Sequence, residues 1–144
     1  MYLNNNLSTL TLAAGDSLFN EDSEQKFFFN SLIVYKKNFF EDLGIKQNYF
    51  LVSNDKIHKE KRFKNLIYNK KLINYGSLGS LMYFLNTTKK IPDFLLVNYV
   101  DKKVSHEDIK KLLEVNHGLN TISASQSQKT SKATTELFNL NQKK

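Results

Sequence analysis

The segment Asp93-Phe94-Leu95-Leu96-Val97-Asn98-Tyr99 limits the fold most tightly, because its apolar residues stand at consecutive positions instead of alternating. A strand with one wet face alternates, so this one predicts cover on both faces, the situation of a central strand in a parallel sheet. Such a sheet needs helices, and the flanking sequence supplies them. Leu78, Leu81, Met82 and Leu85 recur at helical spacing after Gly76 and Ser77, and the pattern closes before Pro92. Ser105 opens another helix, with Asp108 in the capping-box position and Ile109, Leu112 and Leu113 facing inward before Gly118. Apolar runs at residues 49–52 and 72–73, and the segment 121–124, read as further short strands. The alternation predicts an α/β fold, a parallel sheet between two layers of helices.

The remaining segments divide the chain. Residues 1–24 are polar and increasingly acidic, show no sustained period, and read as a mobile arm. Residues 25–46 predict an added N-terminal helix: Phe28, Leu32, Tyr35 and Phe39 form a stripe, with Gly44 as the stop. Residues 47–144 form the main domain, with a polar tail from about 126. Phe63, Leu66 and Ile67, set among lysines, predict a surface helix whose basic residues face solvent.

Composition removes several classes of chemistry. With no Cys in 144 residues there are no disulfides, thiolate metal sites or cysteine nucleophiles. The most apolar stretch, residues 27–40, is broken by Asn30, Lys36, Lys37 and Asn38, so no membrane span is expected, and cytoplasmic localisation is the expectation. A formal net charge of +7 favours anionic partners. Its densest cluster is Lys59, Lys61, Arg62, Lys64, Lys70 and Lys71, a surface for nucleic acid or another anionic partner unless it is simply a solvated face. His58, His106 and His117 are scattered and read as surface residues. Gly76-Ser77-Leu78-Gly79-Ser80 lacks the spacing of a phosphate cradle and reads as a loop and helix start.

From Phe50-Leu51-Val52-Ser53-Asn54-Asp55, through Pro92-Asp93 and the strand ending in Asn98, to Ser123-Ala124, the chain resembles the receiver domain of bacterial response regulators. The resemblance covers roughly residues 48–125. It implies a flavodoxin-like three-layer sandwich with acidic metal ligands at Asn54 and Asp55, a phosphate-accepting aspartate at Asn98, and a hydroxyl at Ser123. The residues present depart from that pattern. A neutral amide has neither the charge nor the nucleophilicity to form an acyl phosphate, so Asn98 cannot take the aspartate's part. Asn54 and Asn98 also remove anionic oxygens that a hard dication requires, leaving Asp55, with Asp101 nearby, as a weakened metal site.

No lysine or final helix matches the end of the family's pattern, so the C-terminal helix is expected to be missing or replaced by the N-terminal one. These departures predict a pseudo-receiver: not an enzyme, without cofactor or small-molecule substrate, acting in signalling by binding a protein partner or a second copy of itself. Phe28, Leu32, Tyr35 and Phe39 are its expected interaction helix. The alternatives are a basic nucleic-acid-associated protein and a divergent receiver that still binds metal or phosphate.

Overall fold

A computed structural model describes residues 6–14, 23–53, 64–100, 102, 104–114, 122–126 and 133–140. The elements run β1 (Leu7–Ala13), α1 (Ser23–Asp42), β2 (Gln47–Val52), β3 (Leu66–Tyr68), a 3-10 turn (Lys70–Asn74), α2 (Gly76–Thr87), β4 (Phe94–Tyr99), α3 (His106–Glu114), β5 (Ile122–Gln126) and β6 (Ala133–Asn139). One mixed sheet takes the order β3-β2-β1-β4-β6-β5. β1 is parallel to both β2 and β4, β2 is parallel to β3, and β6 is antiparallel to both β4 and β5. The α/β class expected from the strand and helix alternation is therefore present.

The N-terminal segment corrects the first expectation. Leu7–Ala13 is no mobile arm: every residue of it is buried, and it lies at the centre of the sheet. Its sequence, Leu-Ser-Thr-Leu-Thr-Leu-Ala, alternates hydroxyl with apolar residues from Thr9 to Leu12, the mark of a strand with one wet face. Here the hydroxyls are buried instead, so the polar half of the pattern concealed a core strand. α1 is consequently no addition to the domain but the crossover that joins two adjacent parallel strands, β1 and β2.

Register assigns each side chain to a face. Leu7, Thr9, Thr11 and Ala13 of β1 share one face with their neighbours Asn48, Phe50 and Val52 of β2 and Phe94, Leu96 and Asn98 of β4. On this face Phe39 and Phe40 of α1 pack with Ile109, Leu112 and Leu113 of α3, and Ile33 packs with Ala13 and Phe50. Leu10, Leu12, Leu51, Leu95 and Val97 line the other face, under Leu72 of the 3-10 turn and Leu81 and Phe84 of α2. These are called the α1 face and the α2 face below.

Local chemistry fixes the helix ends. Gly44 has φ +86°, its N–H donates to Glu41 O at 2.9 Å, and Ile45 N–H donates to Phe40 O at 3.0 Å. This is the Schellman pattern, completed by Ile45 and Phe40 joining the same apolar cluster. Ser105 Oγ accepts from Asp108 N–H at 3.1 Å and caps α3. Asn69 caps the 3-10 turn by accepting from Lys71 N–H at 2.9 Å.

Three further expectations are corrected. Leu66–Tyr68, assigned to a basic surface helix, is an edge strand, and residues 72–73, read as a strand, lie in the 3-10 turn. The β-branched and aromatic content of Leu-Ile-Tyr suits β2's edge better than a helix. The tail expected from about residue 126 returns as β6 and inserts between β4 and β5, where Leu137 is fully buried against Leu96.

Candidate functional site

The strand order decides the fate of the receiver-like constellation. That arrangement needs the strand before Asn54 and Asp55 to lie beside the strand ending in Asn98. β1 lies between them instead, setting β2 and β4 two strand spacings apart, about 10 Å. Likewise β6 separates β4 from β5, so the backbone of Ser123 lies two strands from that of Asn98 and level with Leu96. The 3-2-1-4 run of parallel strands also differs from the 2-1-3-4-5 order of flavodoxin-like sheets. Asn54, Asp55 and Asp101 lie outside the described residues.

What surrounds Asn98 is internal. Its side chain is fully buried on the α1 face, with Nδ2 donating to Thr11 Oγ1 at 3.0 Å and, more weakly, to Leu10 O at 3.4 Å. Oδ1 meets no donor among the described residues. A second polar pair stands one step along the same face: Thr9 Oγ1 donates to Asn48 Oδ1 at 2.6 Å, and Asn48 Nδ2 donates to Ile45 O at 2.9 Å. Lys36 of α1 is also buried there, and its Nζ donates to Lys102 O at 2.6 Å, tying the helix to the turn after β4. None of Thr9, Thr11, Lys36 and Asn48 was a candidate site residue by sequence, where Lys36 entered only as a break in an apolar stretch. The hydroxyls along residues 7–13 signal Thr9 and Thr11 once that segment is recognised as a strand, and nothing local signals Lys36 or Asn48.

Two surfaces remain. One is an open groove of about 450 Å³ between α1 and the start of α3, lined by Tyr35, Asn38, Phe39, Asp42, Val104, Ser105 and His106. It holds an aspartate, a serine and a histidine, but no hydrogen bond joins the three among the described residues. The Ser105 hydroxyl accepts the α3 cap, and the His106 ring lies 4.3 Å from Phe39. Of the expected interaction helix, Phe39 is buried in the core, Leu32 is half-buried, and only Tyr35 is well exposed. Phe28 belongs to α1, but its side chain lies outside the description.

The other surface is the outer side of α2. Leu78 is 73% exposed and Met82 49%, one helical turn apart, with Tyr75 and Ile73 exposed beside them. The inward side of the helix is Ser80, Leu81 and Phe84. The helical spacing of Leu78, Leu81, Met82 and Leu85 thus mixed two sides of one helix: Leu81 goes in, Leu78 and Met82 go out. Tyr99 OH donates to Ser77 Oγ at 2.9 Å and pins the start of this helix to the end of β4.

The basic cluster is not one helical face. Lys64 lies in a turn, β3 follows it, and Lys70 and Lys71 belong to the 3-10 turn, while Lys59, Lys61 and Arg62 fall outside the described residues. No cluster of three metal-ligating side chains occurs among the described residues. No described helix is long and apolar enough to cross a membrane. No protein-family model, curated protein or solved structure matches the chain.

Proposed function

We propose that this chain is a non-catalytic regulatory module that works by binding another protein, and that the outer side of α2 is where it binds. The observation that supports this reading is the exposure of Leu78 and Met82 on an ordered helix whose other side is anchored in the core. Burying a leucine or methionine side chain is worth roughly 1.5–3 kcal/mol, a gain this fold leaves unused. Contiguous apolar surface of that kind marks interaction sites. Of the polar groups that the receiver resemblance would assign to phosphoryl chemistry, Asn98 is buried in the core, where its Nδ2 donates to Thr11 Oγ1. Asn98, inaccessible to solvent, is a structural side chain on this reading.

The test is site-specific photocrosslinking in the native host. A crosslinking residue at position 78 should give a discrete protein adduct, and one at the exposed Lys110 of α3 should not. No adduct at 78, or equal labelling at both positions, would count against the proposal.

A further inference from the structure

We infer that the occupant of the α2 surface is an apolar helix of another protein, bounded at both ends by aspartates and glutamates. This rests on the docking reading above and adds the chemistry of the partner. The charge distribution carries it. Between Lys71 and Lys89 there is no charged residue, while Lys70 and Lys71 stand before α2 and Lys89 and Lys90 stand after it. All four are exposed, and none is ion-paired among the described residues. The helix is therefore an uncharged strip about 18 Å long for its twelve residues, with Leu78 and Met82 exposed on it and two exposed lysines flanking it in sequence at each end.

A second copy of the chain fits this strip poorly. Two-fold packing of α2 on itself sets lysine ends against lysine ends whether the helices run parallel or antiparallel, and like charges at a rim suppress that pairing. Acidic ends on a different chain reverse the sign at both positions. Leu78 and Met82, one turn apart and exposed, form a ridge of the kind that packs against another helix. Beside it Tyr75 fills the space at Gly79, where a Cβ would lie 2.8 Å from Tyr75 Cβ.

The experiment is selection of binders to the full chain from a displayed library of helical peptides, with each binder retested on Leu78→Lys. A second variant reverses Lys70, Lys71, Lys89 and Lys90 to glutamate. Both alter exposed positions, and retained thermal unfolding shows that the fold is intact. The expected result is that Leu78-dependent binders carry an apolar i, i+4 core with acidic residues at both flanks, and lose roughly tenfold or more in affinity on the charge-reversed chain. Leu78-dependent binders without acidic flanks would overturn the charge assignment and leave the docking reading standing. Absence of any Leu78-dependent binder would overturn both. Leu78-dependent sedimentation with phosphatidylcholine–phosphatidylglycerol vesicles, or Leu78-dependent dimerisation in the ultracentrifuge, would overturn the inference in favour of a lipid surface or a second copy.

Discussion

The two faces of the sheet invert each other. Under α1 and α3 the interior holds Thr9, Thr11, Lys36, Asn48 and Asn98, and apart from Lys36 the described charged residues of the helices lie on their outer sides. Their surfaces carry ordinary i, i+4 ion pairs, Lys37–Glu41 at 3.2 Å and Lys111–Glu107 at 3.5 Å. Under α2 the interior is uncharged, its only buried polar side chains among the described residues being the small hydroxyls of Ser8 and Ser80, and the exposed side of the helix displays Leu78 and Met82. Polar groups inside a fold are held there by hydrogen bonds and have little left to offer a partner. Apolar groups outside have an unrealised gain. The contrast separates the face that consumes its unusual residues from the face that displays them.

The largest effect should come from removing what both faces share. Deletion of residues 1–14 takes away β1, the strand that joins β2 to β4 and gives Leu7 and Ala13 to one core and Leu10 and Leu12 to the other. We expect the truncated chain to lose its cooperative thermal transition altogether. A soluble truncated chain with an unchanged transition would show that residues 1–14 are dispensable, and the central position of β1 would be wrong.

Substitutions that act on one interior at a time come next. Phe84→Ala empties a fully buried site on the α2 face and should cost about 3–5 kcal/mol in denaturant unfolding. Asn98→Asp tests the polar interior, and it restores the residue type of a phosphate acceptor. At 0% exposure beside Thr11 Oγ1 and Leu10 O, a carboxylate would be desolvated, which raises its pKa in the folded state. The folded chain then holds a proton that the unfolded chain has released. The variant should accordingly approach wild-type stability in acid and lose on the order of 3–5 kcal/mol by neutral pH. Acetyl phosphate with magnesium should leave no adduct on the wild-type chain by intact mass, and none on this variant. A stable phosphoryl adduct on the variant would mean that the site opens to solvent.

Much of this was legible in the sequence. Residues 93–99 declared a strand covered on both sides because Phe94 to Val97 run without a polar residue between Asp93 and Asn98, and α3 was legible from Ser105, Ile109, Leu112 and Leu113 because its polar and apolar residues separate cleanly. The central strand was concealed because Thr9 and Thr11 are polar by type but buried by register, a distinction that exists only once Asn48 and Asn98 are known to face them. β6 was concealed similarly, since its pairing with β4 is a long-range contact that no local period records. The receiver-like spacing depended on the strand before Asn54 lying beside the strand that ends in Asn98, and β1 stands between them. On α2 the period was right but did not separate Leu81, which goes in, from Leu78 and Met82, which go out, because a helix apolar on both sides gives periodicity no phase to report.

The smallest expected effect on stability discriminates the two exteriors most finely. Leu78→Lys places a charge on a side chain already 73% exposed, and it should change unfolding free energy by less than about 0.5 kcal/mol. Lys111→Ala, which removes the α3 ion pair with Glu107, should also cost no more than about 0.5 kcal/mol. In stability, then, the two helices should look alike. They should part in crosslinking: with the crosslinker at the neighbouring Met82, Leu78→Lys should abolish the adduct, whereas Lys111→Ala should leave it intact. If Leu78→Lys instead destabilised the fold by 2 kcal/mol or more, in the range typical of buried leucines, the outer side of α2 would belong to the core and the contrast between the two faces would fail.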